Sequence, residues 1–390
     1  MEGDRPLLEA VWISDVDRSE TDHLGDGKTP RPGFPRGLMG WLPSSRGVIW
    51  GWLRPPVDPQ RGGDGMVGLN KLHLLSLLVL LLIAAPSPGE EFKILHLGIP
   101  KGSMRSFIRL MNPDGSGVKE IIEGGIACWS PDGKRIAFLS MGDGPANDIF
   151  VMSLDGGSLR NLTNSPTKWE HDPDWSPDGR EIMFSSDGML WAIDVETGQV
   201  RRISPQHRIV NGIREFQDSK ARWSPDGRRI VFLSVEMGRN FEIYMCDSDG
   251  GNRINLTNSP AVDDWPVFTP DGKGVEFVSN RGGTLNNKLY LLNLETGKLK
   301  LLCEMKSAIW SPDVSPDGRW IVFSSRNDRE EILSWELYVF DMLTRKVRKL
   351  TDTPMESECF PRWSPVPIGM GITLFGKLPA LWGVLKMKGE

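Results

Sequence analysis

The chain has 390 residues and a formal net charge of −5, and 25% of its residues are charged. This acidic balance excludes the clustered positive charge that nucleic-acid-binding domains require. The four cysteines include no C-x-x-C pair, which argues against a zinc site or a dithiol redox motif. We therefore predict no nucleic-acid partner and no cofactor, while the sequence leaves open whether a metal binds.

The first 65 residues do not have the pattern of a folded domain. They are rich in Gly, Pro, Arg and Asp, as in Thr29–Pro35, and no helix or strand period is sustained. Such a composition buries too little apolar surface to offset the entropy lost on ordering. We predict a disordered extension over residues 1–65.

Residues 66–89 have the order of a secretory signal. A short start containing Lys71 precedes an apolar run over 72–85 that ends in small residues. This run is shorter than the roughly 20 residues of a membrane-spanning helix. We predict export to the periplasm or the extracellular space, with translation starting at Met66 and residues 1–65 mis-assigned. The alternative is an uncleaved signal that anchors the protein in the membrane. Membrane contact is expected only through this segment.

From about residue 92 the chain repeats one phrase, an aromatic residue followed by Ser-Pro-Asp-Gly. The aspartates stand at positions 132, 178, 226, 271 and 317, which are 46, 48, 45 and 46 residues apart. A repeat of this length is typical of a four-stranded propeller blade. We interpret the motif residues as structural, with aspartates that form turns and aromatic residues that pack between blades: Trp129, Asp132, Trp175, Asp178, Trp223, Asp226, Phe268, Asp271, Asp317 and Trp363.

The segments between the motifs predict four strands in each unit. The second strand alternates large apolar residues, as in Ile136 and Phe138, which indicates a half-buried strand. Five units are complete, and the remaining segments form a sixth. In that unit, N-terminal strands at about 107–122 and C-terminal strands at about 362–375 share one blade. The predicted fold is an all-β, six-bladed propeller over 92–376, closed so that no sheet edge stays open. Residues 377–390 form a tail.

The motif resembles a known family. Trp-Ser-Pro-Asp-Gly followed by Lys/Arg-x-Ile-x-Phe and later by Leu-Thr-Asn-Ser-Pro is similar to the WD-like propeller repeat of TolB-type proteins. The resemblance implies an exported interaction scaffold in the periplasm or cell envelope, and we expect a monomer. Its partner would be a protein or peptide, with an envelope lipoprotein as one candidate. TolB itself has an α/β domain before the propeller, whereas fewer than twenty residues separate the signal from the strand at Phe107. The resemblance is therefore to the propeller rather than to the whole of TolB.

The candidate binding residues lie just before the motif aromatics, where the repeats differ. Loops that enter the first strands should ring the mouth of the central channel and bring together charged residues from several blades: Glu170, His171, Asp218, Lys220, Asp263, Asp264 and Glu358. Such a ring concentrates cationic ligands or holds a divalent ion. The alternative is a set of solvated loops.

No catalytic constellation is visible in the sequence. A G-x-S-x-G elbow is absent, which argues against a serine peptidase. A metal-assisted, carbohydrate-active propeller similar to oligogalacturonate lyases remains an alternative, as does a peptide-binding propeller. The former needs convergent histidines, and His96, His171 and His207 lack that spacing. Cys128 and Cys359 would be neighbours at ring closure, where the sequence favours free thiols over a disulfide.

Overall fold

The computed structural model describes residues 90–141, 146–165, 167–205, 209–210, 213–214, 216–236, 240–282, 287–326 and 334–369. The predicted extension (1–65), the predicted signal (66–89), His207 and the tail (377–390) lie outside these residues. The described residues contain strands and turns, and no helix among them is long and apolar enough to cross a membrane.

Six antiparallel sheets of four strands form the blades of a ring, which confirms the predicted six-bladed propeller. The first three blades consist of Ala127–Trp129, Arg135–Met141, Asn147–Ser153 and Leu159–Asn161; Glu170–Trp175, Glu181–Ser186, Met189–Asp194 and Val200–Arg202; and Phe216–Trp223, Arg229–Glu236, Phe241–Asp247 and Ile254–Asn255. The others consist of Asp263–Phe268, Gly274–Ser279, Lys288–Asn293 and Leu299–Cys303; Ile309–Val314, Trp320–Arg326, Trp335–Asp341 and Val347–Lys349; and Glu356–Trp363, Ile94–Pro100, Phe107–Met111 and Lys119–Glu123. Two short pairs, Glu90–Glu91 with Ile368–Gly369 and Ile209–Val210 with Ile213–Arg214, complete the strands.

The repeated motif forms the turn between the first and second strands of a blade. In the third blade, Asp226 Oδ1 accepts hydrogen bonds from Ser224 Oγ at 2.6 Å and from the amide of Arg228 at 3.1 Å. The bond from Ser224 is the main reason why the pKa of Asp226 is lowered. Gly227 follows with a φ of +68°, a conformation that glycine adopts without steric cost. Each motif residue thus has a defined place in one local turn.

The sixth blade closes the ring with strands from both ends of the domain, as predicted, but their division differs from the expectation. The C-terminal side contributes only the first strand, Glu356–Trp363, and the N-terminal side contributes the other three. Ile94 pairs with Trp363 as Ile230 pairs with Trp223 in the third blade. Ile94–Pro100 is therefore the second strand of the sixth blade. The sequence predicts this second strand near 372–375, at the end of the C-terminal strands, and these residues lie outside the described ones.

At the closure, residues from the two ends of the domain make the hydrogen bonds that elsewhere belong to the motif turn. Ser364 and Lys93 exchange two hydrogen bonds of 2.8 Å, from the amide of Ser364 to the carbonyl of Lys93 and from the amide of Lys93 to Ser364 Oγ. Ser224 and Arg229 exchange the same pair inside the third blade. The two ends of the domain are therefore joined by the contacts that elsewhere belong to one continuous turn.

The first strands lie innermost and the core lies between blades. Each first strand contacts the next around the ring, so together they line the central channel. The motif aromatics pack against the preceding blade, as Trp223 does against Leu190 and Ala192. All four cysteines are buried and free, including Cys128 and Cys359 near the closure.

Candidate functional site

The channel mouth is the end of the ring where the first strands begin. In five blades the first strand contains a register shift close to a residue with positive φ: Asp172, Lys220, Trp265, Ser311 and Phe360. Each of these lies three residues before the motif position, which is the first residue of the motif: 175, 223, 268, 314 and 363. Such a bulge changes the direction of side chains and often borders a functional site.

An aromatic group occupies one side of this mouth. The rings of Trp265, Trp310, Trp335 and Phe360, which we call the mouth cluster, come from three adjacent blades. Ring centroids lie 6.2 Å apart between Trp265 and Trp310, 5.5 Å between Trp265 and Phe360, and 5.4 Å between Trp310 and Trp335. These spacings and tilts are those of favourable aromatic pairs. Trp310, Trp335 and Phe360 stay partly exposed.

A charged pair adjoins the mouth cluster. Lys220 Nζ lies 4.1 Å from the ring centroid of Trp265 and makes hydrogen bonds of 2.9 and 2.7 Å to the two carboxylate oxygens of Asp264. Burial raises the pKa of Asp264, and the ammonium of Lys220 opposes that shift. The pair offers a ligand a fixed polar edge beside apolar rings, an arrangement common in binding sites.

The structure places four of the predicted site residues inside blades. Glu170, Asp218, Asp263 and Glu358 share one position, five residues before the motif aromatic, and all four are buried. Each has a partner in another segment of its own blade or of the preceding blade. Thr163 Oγ1 donates to Glu170 at 2.7 Å, and the guanidinium groups of Arg253, Arg281 and Arg109 lie 2.8, 2.7 and 3.1 Å from Asp218, Asp263 and Glu358.

These four carboxylates therefore do not converge. Burial is the main cause that raises the pKa of Glu170 to about 7. His171 is exposed on its strand, so among the seven predicted residues the structure brings together only Lys220 and Asp264. A binding role for the others stays a prediction.

Below the mouth, a second polar network lines the channel. Asp174 lies 3.8 Å from Arg222, and Asp313 lies 3.5 Å from Arg362. The amides of Trp223 and Trp363 donate to Asp174 and Asp313 at 2.9 and 2.7 Å. Burial is the largest cause that raises the pKa of Asp174 to about 6 and that of Asp313 to about 7. Among the described residues, no group of three or more His, Cys, Asp or Glu side chains is arranged to hold a metal ion.

The sequence interpretation missed the mouth cluster. It focused on charged residues, whereas Trp265, Trp310, Trp335 and Phe360 fall outside the repeated motif and lie on three blades. A usable signal was present, because Trp265, Trp310 and Phe360 stand three or four positions before a motif position. That is the segment in which the copies of the repeat differ.

Comparison with known families agrees with the fold. Residues 206–368 match the family described as TolB beta propeller domain, and residues 147–253 match the N-terminal region of dipeptidyl peptidase IV. The crystal structure of TolB from Acinetobacter baumannii superposes with a TM-score of 0.60 at 22% identity, covering 75% of this chain and 71% of TolB.

Curated relatives are similar over parts of the chain. The uncharacterized peptidase YuxL of Bacillus subtilis is 31% identical over 39% of this chain, and an uncharacterized protein of Agrobacterium fabrum is 29% identical over 58%. The Tol-Pal system protein TolB of Francisella tularensis subsp. holarctica is 28% identical over 30%. This chain spans 21% of the peptidase, 73% of the Agrobacterium protein and 27% of that TolB. The described domain is a six-bladed β-propeller, and its fold is similar to that of the TolB propeller.

Proposed function

We propose that this protein is an exported, TolB-like interaction scaffold that binds a protein or peptide partner over the mouth of its channel. The mouth cluster, with the adjoining Lys220–Asp264 pair, is the observation that carries the proposal. Aromatic residues and methionine are enriched at the centres of protein interfaces, where they supply apolar area.

Exposed apolar side chains on the same face support a macromolecular partner. The second-to-third-strand connections and the segments before the first strands lie at this end of the ring. They carry Met104, which is 92% exposed, Met355, which is 64% exposed, and Trp169. Phe241, which is 41% exposed, begins a third strand at the same end of the ring. The opposite face carries the Asp-Gly turns of the motif, which are polar. An apolar surface with a polar rim is the usual form of a protein-binding face.

The relatives and the N-terminal sequence support the proposed location and the proposed kind of partner. One relative is a TolB of the Tol-Pal system, and the apolar run at 72–85 has the order of an export signal. We infer a monomer in the periplasm or cell envelope, with an envelope lipoprotein as one candidate partner and a membrane-anchored form as the alternative. This chain spans only 21% of the peptidase-named relative, and we propose a role in binding rather than in hydrolysis for the propeller.

Affinity capture from an envelope extract with matched variants tests the proposal. The double variant Trp310→Ala, Phe360→Ala removes two exposed rings from the mouth cluster. The control, Leu343→Ala with Val347→Ala, removes exposed apolar side chains from the fifth blade away from the mouth. We expect the wild type and the control to retain the same partner and the mouth variant to lose it. Equal recovery by all three proteins would refute a binding site at the mouth, provided that their melting curves show them folded.

A further inference from the structure

Five of the six interfaces between blades are built in the same way. The motif aromatic of one blade shares a core cluster with an apolar residue in the second strand of the preceding blade. In each of these second strands, one residue pairs with the motif position of its own blade, and the next residue is the apolar one that contacts the following blade. In the third blade, for example, Ile230 pairs with Trp223, and Val231 is the next residue. The pairs are Leu95 with Trp129, Ala137 with Trp175, Met183 with Trp223, Val231 with Phe268 and Val322 with Trp363.

The interface between the fourth and fifth blades departs from this pattern at both positions. Val314 stands where the other copies have an aromatic ring, and Glu276 stands where they have an apolar side chain. A cavity of about 320 Å³ lies at this interface, and Leu291, Val314 and Met342 form its apolar walls. Asp271 and Lys273 line it too, and both are exposed, so the cavity opens to solvent on the face of the motif turns.

Glu276 faces this cavity, and none of the described residues supplies it with a cationic partner. The residue is 1% exposed, and its Oε2 atom is buried and makes no hydrogen bond. Burial first, and then the like charge of Asp313, raises the pKa of Glu276 to about 8. Lys273, at the rim, has its ammonium 3.5 Å from the surface residue Glu295. A buried carboxylate in this state is stabilised by any cation that reaches it.

We propose that this cavity is a binding site for a small aromatic amine, whose ring fills the space of the absent tryptophan and whose ammonium group pairs with Glu276. The volume is within the range of small-molecule pockets, and the lining combines apolar walls with one charged group. The site lies on the face opposite the mouth and is independent of the proposed scaffold role.

Calorimetric titration of the full-length protein with tryptamine tests the site. Indole-3-propionate is the matched control ligand, because it has the same ring with an anionic group. We expect tryptamine to bind at millimolar concentration or below, and indole-3-propionate not to bind. Because Glu276 must be ionised to pair with the amine, tryptamine binding near pH 7 should release protons. That release appears as a heat that varies with the ionisation enthalpy of the buffer.

Variants locate the binding within the cavity. Glu276→Gln should weaken tryptamine binding about tenfold or more and remove the proton release. Val314→Trp should abolish binding because the new ring fills the cavity. Val314→Phe should do the same, and phenylalanine already occupies the motif position of another blade at Phe268. Cooperative melting curves would show that these variants are folded. No tryptamine heat, equal binding of the two ligands, or unchanged binding in the folded Val314 variants would overturn the proposal.

Discussion

Replacement of Glu276 by valine should stabilise the protein, and the gain should depend on pH. Valine occupies the corresponding position in two other blades, at Val231 and Val322, so its size and shape suit the second strand. Glu276 is buried with an unbonded oxygen, and its pKa is raised from 4.5 to about 8. The wild-type protein therefore holds a carboxyl group that resists ionisation where the unfolded chain ionises freely.

The sign and size of the effect follow from the two pKa values. Below pH 4.5 the carboxyl is protonated in both states and adds no pH-dependent penalty. As the pH rises above 4.5, the unfolded chain loses its proton while the folded protein keeps it, so the free energy of unfolding falls until about pH 8. Between about pH 5 and pH 8 the free energy of unfolding of the wild type should fall by about 3 kcal/mol relative to that of the valine variant.

Urea denaturation near both pH values measures this difference. Asp174 and Asp313 also titrate in this range, but both are present in the two proteins, so their own ionisation cancels to first order. The repulsion between Asp313 and Glu276 is one cause of the raised pKa of Glu276 and is removed together with it. Packing differences cancel as well, because they are equal at the two pH values. Glu295→Gln, on the surface of the same blade with a side chain 64% exposed, is the control and should give no pH-dependent gain. The same gain for Glu276→Val at both pH values would refute the interpretation of Glu276 as a buried, unpaired acid.

Substitutions at three further positions test the architecture by urea denaturation. Gly227→Ala should destabilise by about 1 kcal/mol, because a side chain at positive φ is strained; an unchanged midpoint would contradict the turn geometry. Ser364→Ala should cost about 1–3 kcal/mol, because the buried amide of Lys93 loses its acceptor at the closure; a neutral effect would mean that this contact does not hold the ring. Lys220→Met should lower stability by about 1–2 kcal/mol by leaving Asp264 without its cation, and Lys220→Arg should recover part of the loss. Equal loss in both Lys220 variants would argue against a charge effect.

The repeated blades were predictable because their determinants are local. A motif such as Ser224 to Gly227 contains its own turn hydrogen bonds and its own glycine, so the sequence specifies the structure within a few residues. Repetition of that turn every 45 to 48 residues then fixes the number of blades. The closing blade was predicted less well, because its second strand has His96 where the other five blades have phenylalanine. His96 is buried, with Nδ1 2.6 Å from Oε2 of Glu358, so a polar pair replaces the expected apolar pattern.

The candidate site was harder to predict because it depends on long-range contacts. The acidic residues before the motif are conspicuous in the sequence. Successive side chains of a strand point to opposite faces, and the side chains at this position are buried inside the propeller. The partners of Asp218 and Asp263, Arg253 and Arg281, lie 35 and 18 residues further along the chain. The mouth cluster likewise joins residues from three blades. The sequence places three of its rings just before motif positions, but their contact with one another depends on how the blades are arranged around the ring. The cavity at Glu276 is marked in the sequence only by two departures from the repeat, Val314 and Glu276.

Site-specific photo-crosslinking tests the central claim, that the mouth face binds a partner, most directly. A photoreactive phenylalanine analogue replaces Met355, which is 64% exposed at the mouth face, or Leu343, which is 77% exposed in a turn at the opposite end of the fifth blade. The proposed function predicts that illumination of cells yields a discrete adduct with one envelope protein from position 355 and none from position 343. Adducts from position 343 alone, or the same adducts from both positions, would contradict it.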